Sequence, residues 1–535
     1  MKKALSAVLA LALLIVFMAF PTVAEDERPT LTILVEQQAT IEDFETNAAT
    51  LWIEDRIGAN LDFILAPSGS LKEKMNILLN SGDYPDIFYQ TVPDENLYGV
   101  ESHILMDLTP LIPEMEYLNY ALDYYPQMYD SMYASDGKLY AFPSYGGASY
   151  HITFGVKCFI NSKNLEELGM EAPTTTDDLY EVLKAWKDLD PEKHIGIVGS
   201  AEMDRSNPVF FLTNPFTYQP MNNNGFRLGL RMHEDTVETM YNIEEYREAL
   251  RYIHMLYEEG LLYEGSFTMS REQATALLAS EGEPVMCWMT SHNERLVVSK
   301  NSPELYAHTD HLTPLIGPEG KQYVSYQPDN VGAIISISST CKYPEIAAQF
   351  ADLFYNWEGI AVVNFGPIEL GYWRLATEEE KKMCEDAGES PVTIQQIGAF
   401  ESSVQNYKWQ PFLPYTCPMA GPGVPYSKDL PVDYSQYDFD DPVNGQPYRI
   451  YATKTQYEPY YQDEYRTIPS LKFLAAENEE RATLEVSLEN YIAQARMDFI
   501  TGAKSLDTDW DAYVKGIQNL NMDRLIEIYQ TAYDR

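Results

Sequence analysis

Hydrophobic and polar positions alternate between two rhythms along this chain. Residues 31–35 (Leu-Thr-Ile-Leu-Val) form a short, β-rich apolar run, which predicts a buried strand. The apolar spacing then widens to that of a helix over 43–57, and a second strand follows at 61–65. Residues 70–79 predict a helix with Ser70 as N-cap and Glu73 three residues on. The run Ser81-Gly82-Asp83-Tyr84-Pro85-Asp86 breaks the chain before a strand at 87–89.

The same alternation resumes further on. A strand is predicted at 153–160 and helices at 161–168 and 176–189, the latter reached through Pro173-Thr174-Thr175. An amphipathic helix at 246–260 ends in glycine; strands follow at 285–289 and 331–336, a long helix at 344–357, and helical pattern from 471 to 535. Between about 405 and 465 the chain is crowded with Pro, Tyr, Asp and Gly and shows little periodicity. Its tyrosines argue for ordered loops packed on a lobe. No internal repeat is visible. Strands alternating with helices predict an α/β protein with mostly parallel sheets covered on both faces.

Before the first strand stand Met1-Lys2-Lys3, an apolar stretch over 4–20, and Pro21-Thr22-Val23-Ala24 ahead of acidic Glu25-Asp26-Glu27. Basic start, apolar segment and small residues are the parts of a secretory signal peptide, with cleavage expected after Ala24. No cysteine stands near that point to carry a lipid anchor. The remaining chain is too long for one core, so at least two domains are expected.

The formal net charge of −44 argues against nucleic acid and against anionic membrane surfaces, both of which call for basic patches. Cys158, Cys287, Cys341, Cys384 and Cys417 include no C-x-x-C pair and are expected to be mostly buried small hydrophobes. G-x-S-x-G, P-loop, G-x-G-x-x-G and H-E-x-x-H motifs are absent, and His233-Glu234 lacks the second histidine of a zinc helix. No catalytic residue, cofactor or metal is expected. With 81 acids, the presence of paired carboxylates does not single out a glycosidase.

Several segments, in order, resemble the family 1 extracellular solute-binding proteins of bacterial ABC importers. They are Ser81-Gly82-Asp83-Tyr84-Pro85-Asp86-Ile87; Asp136-Gly137-Lys138-Leu139-Tyr140-Ala141-Phe142-Pro143; and Ile160-Asn161-Ser162-Lys163-Asn164-Leu165-Glu166-Glu167-Leu168-Gly169 with Ala172-Pro173-Thr174-Thr175. Leu256-Tyr257-Glu258-Glu259-Gly260-Leu261 is a further match. The tail, with Phe499-Ile500-Thr501-Gly502, Asp509-Trp510-Asp511-Ala512-Tyr513 and Ala532-Tyr533-Asp534-Arg535, resembles a long-chain subgroup of sugar-binding lipoproteins.

The resemblance implies a type II periplasmic-binding-protein fold similar to that of maltose-binding protein. One lobe would hold 25–145 and 328–368, the other 150–325 and 372–535. Hinge strands are expected near 144–150, 327–331 and 366–372. It also implies a function: a secreted, monomeric protein, periplasmic or at the cell surface, that captures a carbohydrate, with an oligosaccharide expected, for the membrane permease subunits of an ABC importer. A secreted glycoside hydrolase or lyase is the alternative.

A saccharide site needs aromatic rings to stack on and polar groups to bond hydroxyls, and the chain has 40 Tyr, 21 Phe and 7 Trp. Loops at the carboxyl ends of strands are the expected place. There stand Gln37 and Gln38 after the first strand, and Tyr89 with Gln90 after the third. Tyr145, Tyr150 and His151 fall at the first hinge. Trp288, His292 and Asn293 stand where the sequence resembles the family's cleft segment, and Tyr372 and Trp373 near the last hinge. Some long-chain relatives carry a calcium loop after the helix that here ends near Leu189. This chain reads Asp188-Leu189-Asp190-Pro191-Glu192-Lys193 there, with lysine where the turn needs glycine, so no calcium is expected.

Overall fold

The computed structural model describes residues 28–124, 126–130, 132–146, 153–202, 204–297, 301–327, 330–386, 394–397, 404–409, 452–453 and 455–535. The leader, Tyr150, His151 and most of 405–465 lie outside the described residues. Strands are numbered along the chain: β1 (Thr30–Glu36), β2 (Asn60–Ala66), β3 (Ile87–Tyr89), β4 (Phe142–Gly146), β5 (Lys157–Asn161), β6 (Ile195–Val198), β7 (Leu230–His233), β8 (Thr236–Thr239), β9 (Val285–Thr290), β10 (Thr309–Leu312), β11 (Asn330–Ile337), β12 (Trp373–Leu375), β13 (Ile394–Gln396) and β14 (Tyr465–Arg466).

The first lobe is built on a sheet of order β2-β1-β3-β11-β4. β1 pairs in parallel with β2, Ile33 opposite Phe63, and with β3, Ile33 opposite Ile87. The helix Ala48–Ile57 that joins β1 to β2 starts later than the apolar spacing predicts. Asp43 holds a turn by accepting from the Glu45 amide, and Asn47 caps the helix by accepting from Ala49 N at 3.0 Å. The helix Leu71–Ser81 begins after Ser70, but Ser70 makes no side-chain cap bond. At its other end Gly82 takes φ 82°, a left-handed cap that glycine adopts without steric cost.

β11 runs antiparallel to both β3 and β4, so the sheet is mixed rather than mostly parallel. The cause is topological: β4 carries the chain out of the first lobe and β11 brings it back, so the two must run in opposite senses. The second sheet, β10-β5-β9-β6, is also mixed, with only β6 and β9 parallel. A small sheet β14-β7-β8 lies beside it. The expected long helix at 344–357 is broken instead. Helix Pro344–Asp352 ends in a 3-10 turn, and Asn356, in extended conformation, caps a new helix, Trp357–Phe365, through Glu358 N at 2.9 Å.

Two large cores result. One gathers Leu31, Ile33, Tyr89, Phe142, Ile335, Phe354 and Ile360, and it also takes in Trp373, Ile394 and Trp409 from beyond the last expected crossing. The other gathers Trp186, Leu230, Tyr241, Tyr246, Cys287 and Met289 with Leu488, Phe499, Trp510 and Tyr529 of the C-terminal helices. The helix Ala475–Ile500 thus belongs to the second core along its later turns. Its first turns reach toward the first lobe, where Asn478 Nδ2 donates to Asp94 Oδ2 at 2.7 Å. Cys158, Cys287 and Cys341 are buried, as expected of small hydrophobes, and they are free.

Candidate functional site

Where β11, the loop after β3 and the second core meet, the structure forms a partly open cavity of about 940 Å³. The first lobe contributes Asp94, Glu95 and Asn96, just past the carboxyl end of β3. The crossing segment contributes Gln327, Gly332 and Ala333. From the second lobe come Arg205, Ser206, Asn222, Asn224, Ser291 and Arg295. A fourth wall, residues 467–473 with Asn478, Arg481 and Tyr529, closes it from the C-terminal region.

Local sequence explains how these side chains are held. Asp94 caps the turn that follows it by accepting from Leu97 N at 2.8 Å. Asn96 donates to the Phe473 carbonyl at 3.0 Å and accepts from Ser135 N, tying the loop after β3 to the C-terminal segment. Asn222 caps the helix Asn223–Leu228 through Gly225 N, and its amide donates to the Ile468 carbonyl at 3.2 Å. Arg205, in the 3-10 turn Asp204–Ser206, donates to Gln327 Oε1 of the crossing segment. Ser206, on the lining, has its Oγ buried with no hydrogen-bond partner.

Two of the cations are paired with carboxylates. Lys472 Nζ lies 3.2 Å from Glu95 Oε1. Burial pushes the Glu95 carboxyl up from its ordinary value against the attraction of Lys472, and burial likewise pulls the Lys472 ammonium down. Arg481 Nη1 sits 2.9 Å from Glu485 Oε1, and its guanidinium stacks 4.4 Å from the centroid of the Phe473 ring. Asn224 donates to the Tyr529 hydroxyl at 2.6 Å, and that hydroxyl donates to Glu485.

The expected site residues fall elsewhere. Tyr89 is fully buried, its ring 5.4 Å from Phe354 and 6.0 Å from Trp409. Trp288 is fully buried on β9, where both faces are covered. Its ring stacks over Phe159 and its Nε1 donates to Asn293 Oδ1 at 3.0 Å. Trp373 is buried in the first core, with Nε1 donating to the Gly366 carbonyl at 2.7 Å. Tyr372 is exposed and stacks on Tyr407 at 4.3 Å. Gln37 and Gln38 lie at the end of β1 outside the cavity, and Gln90 adopts φ 69° beside β11 with its amide on Ile334 O. His292 meets Ser291 Oγ at 3.1 Å. Of the expected residues whose side chains are described, none lines the cavity; Ser291, between Trp288 and His292, does. Tyr145 is described only as backbone, paired with Val331, and Tyr150 lies outside the described residues.

Sequence reasoning passed over Arg205, Ser206, Asn222, Asn224, Lys472 and Arg481. The run Asn222-Asn223-Asn224-Gly225 carries a readable helix-start signal; the others belong to no motif.

This fold, two α/β lobes meeting at a polar cavity beside crossing strands, is that of type II solute-binding proteins. The chain belongs to the bacterial extracellular solute-binding protein family, which it matches over residues 48–359. It is 24% identical over 527 residues to the fructooligosaccharide ABC transporter substrate-binding protein FusA of Streptococcus pneumoniae, across 90% of this chain and 86% of that one. The structure of FusA in complex with kestose aligns at a TM-score of 0.70 and 22% identity, covering 94% of this chain and 99% of FusA. An extracellular solute-binding protein from Bifidobacterium longum subsp. infantis aligns at 0.74 and 18% identity, covering 95% and 99%.

Proposed function

We propose that this protein captures an oligosaccharide in the cavity between its lobes and delivers it unchanged to the permease subunits of an ABC importer. The observation that carries the reading is the cavity itself: about 940 Å³, with walls from both lobes and from the crossing segment. A site so placed is completed only when the lobes are together, so ligand and closure reinforce each other. Its lining mixes amides, hydroxyls and a few rings (Phe226, Phe473, Tyr529), the chemistry that hydroxyl-ringed, flat-faced sugars need. FusA is a fructooligosaccharide-binding relative over nearly the whole chain. On this reading the leader over 1–24 is removed and the protein acts as a monomer outside the cytoplasmic membrane.

A thermal-shift screen over neutral fructans, milk-type oligosaccharides and N-glycans tests the reading. A ligand at 100 times its Kd adds about 2.7 kcal/mol to stability. Chromatography of the same mixtures should show no cleavage products. Turnover would favour the hydrolase or lyase alternative, for which a buried Glu95 with a raised pKa is the natural acid.

A further inference from the structure

Four cationic side chains line the cavity: Arg205, Arg295, Lys472 and Arg481. Each is already engaged by the protein. Lys472 meets Glu95 at 3.2 Å, Arg481 meets Glu485 at 2.9 Å, Arg205 donates to Gln327, and Arg295 is engaged as well. Against them stand the carboxylates of Asp94, Glu95 and Asp204 on the lining and of Glu485 immediately behind it. Asp94 is hydrogen-bonded by the Asn478 amide and the Leu97 N–H and shares the field of Lys472 with Glu95, so it adds negative charge to the first-lobe wall. Histidine is absent from the described lining. Beyond the cavity the whole chain carries −44.

From this charge balance we infer that the site selects uncharged saccharides and rejects uronate- or sialate-bearing ones, with Glu95 as a selectivity residue that occupies Lys472. The inference rests on the reading of the cavity as the saccharide site. A ligand carboxylate recognised by a protein needs an unspent cation, best a bidentate arginine. At Lys472 and Arg481 an acidic sugar would have to compete with Glu95 or Glu485, leaving one carboxylate without its partner, and at Arg205 it would have to displace the Gln327 amide. A neutral sugar meets no such conflict.

The test is calorimetric titration of the full mature chain with matched pairs: a neutral oligosaccharide that shifts its melting, and the same chain bearing one terminal uronic or sialic acid. The neutral member should bind at least about tenfold more tightly. Glu95→Gln frees Lys472 and should narrow that gap, whereas Lys472→Gln should widen it. The two variants move in opposite directions, so a general loss of structure does not mimic the pattern. An acidic member that binds as tightly as its neutral partner overturns the inference and leaves the oligosaccharide reading standing. Absence of binding by every member overturns both.

Discussion

Lys472 and Glu95 join the C-terminal segment to the first lobe across the cavity: the ammonium lies 3.2 Å from Oε1 and 3.3 Å from Oε2, with Glu95 only 12% exposed. Around them Asn96 reaches the Phe473 carbonyl and Asn478 reaches Asp94, so both lobes are tied at one place by the segment that opens the helix Ala475–Ile500. Arg535 steadies the same segment by donating to the Lys472 carbonyl at 3.1 Å.

Removal of the ammonium should therefore be felt in a pH-dependent way. In Lys472→Gln, Glu95 keeps its burial and loses its counter-charge, so its folded pKa rises further above the unfolded value. A raised folded pKa leaves full stability below the unfolded carboxylate value and loses it as pH rises through the folded one. The variant is expected to match the parent near pH 4 and to fall behind it by about 1–2 kcal/mol at pH 7. Urea melts at the two pH values check this; a deficit independent of pH would contradict it.

Trp288 and Trp373 are predicted to act on stability. Each is a fully packed ring with its indole N–H satisfied inside the protein. Replacement by Ala leaves a cavity and a broken hydrogen bond, a loss of about 3–5 kcal/mol. Chemical denaturation should show that loss for both variants. A variant that keeps parental stability and loses ligand binding would restore the ring to the cleft.

These tryptophans also mark how far the sequence could be read. The period of apolar residues locates β1, β3 and β9 closely, because a strand buried on both faces is a continuous apolar run; β11 and the edge strand β2, half exposed, are located by their short β-rich apolar runs. Thr175 likewise announces its helix and forms a full capping box with Asp178. Which rings face a cleft is another matter. Val285 to Thr290 is buried at every position, and nothing in its composition separates a ring packed on Phe159 from one stacked on a sugar. The cavity is instead made of short polar loops drawn from residues 94, 205, 222, 291, 327 and 472, far apart in sequence and brought together by the crossing strands. Their local signals are cap and turn signals, which state how the backbone turns and not what the side chains surround.

Calcium should leave the protein unchanged at the loop after the helix Thr176–Leu189. Asp188 is held 3.1 Å from Lys184, and Asp190 lies 3.4 Å from Lys193 at the position where a calcium loop requires glycine. Melting curves in excess chelator and in millimolar calcium should coincide. A rise with calcium that Asp188→Ala abolishes would show a site there.

The most direct test is the affinity of cavity variants for whichever oligosaccharide stabilises the parent. Arg205→Ala and Asn224→Ala each remove a polar group from the second-lobe wall. Calorimetry is expected to show binding weakened by about tenfold or more in each, since polar groups in a closed site leave partners unpaired when cut away. The unliganded variants should melt within a few degrees of the parent. Parental affinity in both would contradict the assignment of this cavity as the ligand site.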